Sequence, residues 1–468
     1  MTFEVSNDIR VLEPTKELMD WCKKELVIPN PDYYKKVQMG KWTGSTPQNI
    51  WLFEKRGDEL RIPFGEINTL WKMCSVSKYS QHNFKSFISP FKPLLYKSNI
   101  NLYDYQEKAV NEAIKRKNGI LVMPCGSGKT QCGLEVIARL GGRALWLTHT
   151  QDLLNQSMQR AKSVLDIPNS CYGTITGGKV NLGSHITFAT VQTMCKLDLA
   201  KYKDSFDIVV VDEVQRCAGS PTKVTQFYKV VSSLSARYKY GLTATPKRAD
   251  GLEKSMFALI GDIIHEVSKD AVADKTCKVV VEKIETEYVP DYDAVLMGDG
   301  TLDYSKIVED LVKNEARRKL VMDRLMQIPV GEPTLVLGNR VEYLKEMCDE
   351  YSKNRKALCI SGMSMTKSGR EMRKNALNDL NTGKLDCIFA TYALAKEGLD
   401  VPNLRYVVFA TPEKDSTTVI QSVGRVGRKA DGKEYGAVID FVDDFGMYKG
   451  WSKKRDGYYK KINAEVIK

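Results

Sequence analysis

The run Met123-Pro-Cys-Gly-Ser-Gly-Lys-Thr130 joins two glycines, a lysine and a hydroxyl between an apolar stretch and a helical pattern. Those residue types suit a polyphosphate. Gly126 and Gly128 let successive backbone N–H groups, with Ser127 between them, turn inward around phosphate oxygens. Lys129 neutralises the β- and γ-phosphates, and Thr130 offers a hydroxyl to Mg²⁺. Met123 stands where the general G-x-x-x-x-G-K-[ST] pattern has its first glycine, a departure offset by the strand before it and the helix after. Further along, Phe206-Asp-Ile-Val-Val-Val211 ends in Asp212-Glu213-Val214-Gln215. A carboxylate at the tip of a neighbouring strand can hold the Mg²⁺ shell, the role expected of Asp212. Glu213 is then placed to orient or deprotonate a water. Adjacent acids at a strand end are often only solvated, and it is their pairing with the Lys129 loop that makes them a site.

The elements that must carry these groups follow from hydrophobic patterning. From Leu102 onward short apolar strands alternate with amphipathic helices: Gly119–Met123, Arg143–Thr148, His185–Thr190, Phe206–Val211 and Tyr240–Thr243. Strands apolar on both faces and separated by helices predict a doubly wound parallel sheet. A second set follows: Pro333–Leu337, Ala357–Ile360, Asp386–Thr391, Tyr406–Ala410 and Ala437–Asp440. Residues 1–100 read as a small α+β accessory domain with a helix over Glu17–Leu26. A hairpin there would pair Ile50–Glu54 with Glu59–Pro63 across Gly57. The expected division is therefore an accessory domain (1–100), a first α/β lobe (101–272), a second (273–450) and a basic tail (451–468). Glu282 to Asp303 reads as an acidic, irregular insertion with a turn at Gly298-Asp-Gly300. The last 18 residues carry six Lys or Arg against two acids, which fits either a solvated helix end or a phosphate contact.

Composition bounds the rest. At 43% hydrophobic and 27% charged over 468 residues, the chain is globular rather than disordered or fibrous. Lys and Arg outnumber Asp and Glu by 70 to 58, a balance that suits a polyanion without identifying one. The 11 cysteines include no C-x-x-C pair and no zinc-ligand spacing, as expected of a reducing compartment. No secretion signal opens the sequence, and no apolar run reaches the ~18 residues of a membrane span. The expectation is a soluble, intracellular protein with no membrane contact.

The D-E-x-Q form of the acidic motif, with Gly241-Leu-Thr-Ala-Thr-Pro246 and Gln421-Ser-Val-Gly-Arg-Val-Gly-Arg428, resembles superfamily 2 helicases over about residues 102 to 445. The Pro124-Cys125-Gly126 form of the phosphate loop and Arg248-Ala249-Asp250 are most similar to the XPB-like and UvsW-like group, which leaves a viral or phage source open. XPB-type proteins carry Arg-Glu-Asp at the latter place, so Ala249 departs from them. The resemblance implies two RecA-like lobes, with ATP and Mg²⁺ as cofactors and nucleic acid, most of all DNA, as partner. It names no protein partner.

Residue by residue, the resemblance assigns Gln106 to the adenine edge and Thr243 and Thr245 to coupling hydrolysis with movement. Gly398 would permit close backbone approach, and Asp400 would lie near the ribose. Arg425 and Arg428, three apart, would project from one face if the segment is helical. They would act as arginine fingers on the γ-phosphate with Gln421 beside them. Gln215 replaces a histidine common in relatives, and its amide can still bridge by hydrogen bonds. Strand-tracking contacts are implied for Thr148 to Gln156, Gly177, Gly178, Thr190, Gln192, Asn339, Arg340 and Thr391, with Arg248 and Asp250 nearby.

In the accessory domain, Tyr33-Tyr-Lys-Lys36, Lys41-Trp42 and Trp51 interleave aromatics with cations. They form either a single-strand stacking surface or that domain's own core. The function implied is an ATP-dependent DNA helicase or translocase that remodels duplex or branched DNA. The alternatives are an RNA-directed or transcription-associated motor and, in another class, a nucleotide-dependent binding module without hydrolysis.

Overall fold

The computed structural model describes the chain apart from residues 77–82, 222–223, 248–249, 299, 363–365, 397–398, 400, 431 and 468. A first compact unit comprises Met1–Pro124 and Gly128–Ser268, and a second comprises Cys125–Ser127 and Lys269–Lys468.

In the first unit the apolar runs become an eight-stranded sheet. Its order is Lys179–Asn181, Tyr172–Thr176, Ile186–Thr190, Ala144–Thr148, Ile208–Asp212, Tyr238–Thr243, Gly119–Val122 and Ile263–Glu266. All neighbours are parallel except the short Lys179–Asn181 edge. Every residue of Gly119–Val122, Ala144–Thr148 and Ile208–Asp212 is buried, which is why these strands read as unbroken apolar runs rather than alternations. Register brings the functional ends to one edge: Thr243 lies beside Val122, Asp212 beside Leu242, and Thr190 beside Thr148. In such sheets ligands bind at the carboxyl ends of the strands.

The accessory region packs in the same unit. A five-stranded sheet runs Glu54–Arg56, Glu59–Pro63, Asp8–Leu12, Thr2–Val5, Asn83–Ser86, and helix Lys16–Glu25 is capped by Thr15. Its core of Phe3, Ile9, Val11, Leu60 and Ile62 continues into Ala218, Leu252 and Ala258 of the lobe. Gly65 sits so close to that lobe that a Cβ would meet the Phe257 carbonyl at 2.4 Å and that of Ala258 at 2.5 Å. Lys239, wholly buried, donates to Val231 O at 3.1 Å and Asn7 O at 3.4 Å beneath the Phe64 ring. The expected hairpin is shorter than read: Glu54–Arg56 pairs with Glu59–Pro63 around Gly57. Ile50 and Trp51 instead belong to strand Asn49–Trp51, paired with Val27–Pro29.

The second unit holds a seven-stranded, wholly parallel sheet. Its order is Ala357–Cys359, Cys387–Thr391, Thr334–Gly338, Tyr406–Phe409, Tyr435–Asp443, Lys278–Thr286, Glu465–Ile467. Two expectations are corrected here. The start of the supposed irregular insertion is strand Lys278–Thr286, whose charges are matched by neighbours: Glu282 by Arg324, Lys283 by Asp456. The basic end is no free tail either. Helix Gly446–Lys461 buries Trp451 and Tyr459, and its Arg455 forms a bidentate pair with Asp440, both about 1% exposed. Gly300, at positive φ, closes the expected turn through Met297 and Thr301, while Asp299 falls outside the described residues. No described helix is long and apolar enough to cross a membrane.

Candidate nucleotide site and nucleic-acid loops

The phosphate loop leaves strand Gly119–Val122 and enters helix Lys129–Leu140 through glycines at positive φ, Gly126 at 79° and Gly128 at 82°. Only glycine takes that conformation without a Cβ penalty. The N-cap, Gly128, has no side chain with which to cap the helix, which suits its first N–H groups and dipole to an anion. Lys129 lies at the loop's neck with Nζ 3.4 Å from Met123 O. Ser127 is buried and Thr130 half-buried beside it.

Gln106, which the resemblance assigns to the adenine edge, is only 1% exposed. Its Oε1 accepts the Tyr103 N–H at 2.9 Å, capping helix Asp104–Arg116. Its amide nitrogen lies 2.4 Å from where a Gly128 Cβ would stand. In this geometry Gln106 braces the phosphate loop rather than presenting a free amide to a base.

Strand Tyr238–Thr243 separates the loop strand from the acid strand, and Met123 N donates to Thr243 O at 2.8 Å. Asp212 closes the acid strand, 8% exposed. Burial, and then the Glu213 charge, raise its carboxyl above the usual range, with Lys129 opposing them. A divalent cation would reverse that shift. Glu213 sits at φ 54°, a left-handed conformation rare for a residue with a side chain. Strain of this kind gathers at functional sites. A chain of hydrogen bonds follows: Thr243 Oγ1 donates to Gln215 Oε1 at 2.7 Å, and Gln215 Nε2 donates to the Glu213 carboxylate. Thr245 N donates to Thr243 Oγ1 at 2.9 Å. Gln215 thus links the acidic motif to the Thr-Ala-Thr motif inside one lobe.

In the second unit, helix Ser416–Val426 begins at Asp415, which accepts from Thr418 N, and stops at Gly427. The helix therefore ends before Arg428, and the two arginines do not share a face. Arg425 is buried, its guanidinium donating to the carbonyls of Ala395 and Leu399. Arg428 is half-buried, its backbone held by a bridge to Thr276 and its carbonyl by the Cys277 thiol. Gln421 is half-buried on the same helix. Gly398, Asp400 and Arg248 lie outside the described residues. Asp250 is exposed and accepts from Leu252 N ahead of helix Glu253–Ile260.

Residues 99–248 match the family described as Type III restriction enzyme, res subunit, and residues 316–430 match the helicase conserved C-terminal domain. A putative ATP-dependent RNA helicase of Acanthamoeba polyphaga mimivirus is 28% identical over 75% of this chain and 65% of its own. The DNA 3'-5' translocase XPB2 of Sulfurisphaera tokodaii is 27% identical over 73% of this chain and 81% of its own. The ATP-dependent DNA helicase uvsW of Enterobacteria phage T4 is 23% identical, covering 82% and 80%. This chain belongs to the superfamily 2 helicases, in the XPB- and UvsW-like group. It is accordingly an ATP-hydrolysing enzyme of the helicase class. The fold also matches an HsdR restriction-subunit fragment from Vibrio vulnificus, at TM-score 0.57 and 18% identity over 79% of this chain and 68% of that one. S. cerevisiae Dbp5 bound to RNA and ADP BeF3 matches at TM-score 0.55 and 17% identity, over 78% and 90%.

The loops expected to track a strand are each tied down within their own lobe. Thr148 donates to Thr150 O and Ala189 O, Thr190 to Thr193, and Gln192 to His149 O at 2.5 Å. Gly177 and Gly178, both at positive φ, make an open hairpin turn where a Cβ on either would meet nothing within 4 Å, and Gln156 is half-buried on helix Gln151–Val164. In the second lobe Asn339 donates twice, from its backbone N–H to Thr411 Oγ1 and from its side-chain amide to Pro412 O, while Arg340 holds Ser305 and Thr391 N donates to Ser361.

His149 falls within the Thr148 to Gln156 run but carries no role of its own from sequence. It is 8% exposed, and neither ring nitrogen has a hydrogen-bond partner among the described residues. Burial, and then Arg216, lower it to about 3, so the ring stays neutral. Its place between Thr148 and Thr150 was the available signal. Nothing in the local pattern told a buried imidazole from an exposed one.

Proposed function

We propose that this enzyme is an ATP- and Mg²⁺-dependent DNA translocase or helicase that remodels duplex or branched DNA. The observation that carries the reading is the single sheet edge bearing the uncapped phosphate-loop helix, the strained Glu213 and the Thr243–Gln215–Glu213 chain. These residues fit a magnesium nucleotide: glycines at positive φ shape the loop, and Asp212 is a buried carboxylate suited to a cation. Bound magnesium supplies charge neutralisation at the phosphates. Lys129 and the helix amides hold the polyphosphate, Thr130 and Asp212 hold the metal, and Glu213 orients the attacking water. Arg428 is proposed to neutralise the leaving charge with Gln421, and Arg425 to hold the carbonyls of Ala395 and Leu399.

DNA is favoured because the XPB2 and uvsW relatives are named for DNA. A second reading, RNA, is favoured by the mimivirus relative's name. Contacts to backbone phosphates position a strand without reading it, so sequence preference should be weak and salt dependence marked. Steady-state ATP turnover at one salt concentration, with single-stranded DNA, duplex, four-way junction or RNA, tests the proposal. Strongest stimulation by duplex or junction supports it, and preferential stimulation by RNA moves the assignment to the second reading.

A further inference from the structure

Between the paired strands Val27–Pro29 and Asn49–Trp51 the chain leaves the accessory domain at residue 30 and returns at 48. Buried Asn30 closes the base of this excursion. Its backbone N–H donates to Gln48 O at 2.9 Å and its side chain to Pro47 O at 2.8 Å, while its Oδ1 accepts from Asp32 N at 3.1 Å. Helix Pro31–Gln38 buries none of its residues. Tyr34 is 40% exposed and Trp42 89%.

The tip is nonetheless built. Gly40 at φ 61° ends the helix, with Lys41 N donating to Lys36 O at 2.8 Å. Thr46 N closes a turn on Thr43 O at 2.9 Å, and Lys36 Nζ braces that turn on Thr46 Oγ1 at 2.6 Å. The Trp42 ring rests against Gly44, where a Cβ would stand 3.0 Å from a ring carbon, so the indole is held from one side and open on the other. Lys35, on the helix, and Lys41, next to Trp42 in sequence, are both exposed, and no carboxylate pairs with either among the described residues.

We propose that this projection binds single-stranded nucleic acid, with an unpaired base stacked on the open face of Trp42 and neighbouring phosphates held by Lys35 and Lys41. An aromatic face beside unpaired lysines matches the alternation of base and phosphate. A protein-docking core would instead be depleted in lysine. The proposal rests on the nucleic-acid motor reading above and adds the site that takes the displaced strand.

The test uses the full chain without nucleotide and a fluorescent oligothymidylate, with affinity read by anisotropy over a salt series. Trp42→Ala should weaken binding about five- to a hundredfold, Trp42→Phe should recover much of it, and the unfolding midpoint should not move. Lys35→Ala with Lys41→Ala should lessen the salt dependence by roughly one phosphate contact per lysine. Wild-type affinity and salt slope in all three variants would overturn the proposal and point to a protein partner at this tip. A wild-type chain that binds no nucleic acid at all would instead bring down the motor reading itself.

Discussion

Replacing Gln215 by leucine keeps the volume of a buried side chain and removes both hydrogen bonds that link Thr243 to Glu213. The Thr243 hydroxyl is wholly buried and would lose its acceptor, which costs about 1–3 kcal/mol. Thr245 N still donates to it, so the lower half of that range applies. The bond to Glu213 is charge-assisted, but Glu213 is half-exposed and water replaces most of it, leaving about 0.5–1 kcal/mol. The stability loss should therefore be about 2 kcal/mol. Catalysis should suffer more than stability, because Glu213 keeps its left-handed backbone but loses the amide that aims its carboxylate. A loss of about 1.5–3 kcal/mol of orientation lowers kcat about ten- to a hundredfold. Gln215→His, which retains an acceptor and a donor, should stay within about threefold of wild type. Steady-state ATP turnover at saturating nucleic acid, beside a urea melt, reads both effects. Wild-type turnover in Gln215→Leu, or equal damage in Gln215→His, would refute the reasoning.

Arg428→Ala should lower kcat about a thousandfold with nucleotide affinity kept, whereas Arg425→Ala should chiefly lower the unfolding midpoint by freeing two buried carbonyls; the reverse pattern would exchange their roles. Gly65→Ala should cost about 3 kcal/mol, because the new methyl meets backbone rather than a movable side chain, and a wild-type melting curve would contradict the close approach. His149, lowered to about 3 in the fold, takes up fewer protons than the unfolded chain between about pH 3 and its ordinary value near 6.5. Its contribution is therefore full above about pH 6.5 and is lost as pH falls. Urea melts at pH 7 and pH 5 should show a loss about 2 kcal/mol larger in wild type than in His149→Asn, and parallel losses would remove His149 from the account.

The parts legible in sequence were those where one residue type is irreplaceable. The phosphate loop showed because Gly126 and Gly128 need positive φ, and the sheet strands showed because burial on both faces leaves no polar interruption. Other features depended on partners distant in the chain. Lys278–Thr286 looked irregular because Glu282 and Lys283 find Arg324 and Asp456 only after folding. The basic end read as a tail because nothing nearby announced that Arg455 would meet Asp440. Arg425 and Arg428 were placed on one face by assuming a helix that Gly427 in fact ends. Ile50 and Trp51 alternate equally well for either pairing, and the tight turn at Gly57 left them outside the shorter hairpin. For the accessory aromatics, composition allowed both core and surface; the exposed Trp42 settles the matter for that residue.

The central claim is that nucleic-acid-stimulated ATP hydrolysis runs on the Lys129 loop. Its most direct test is steady-state ATP turnover by wild type and Lys129→Ala, each with and without duplex DNA, beside a measurement of DNA binding. Wild type should show stimulated turnover, and the variant should lose turnover while retaining DNA binding. Hydrolysis at the wild-type rate by Lys129→Ala would contradict that claim.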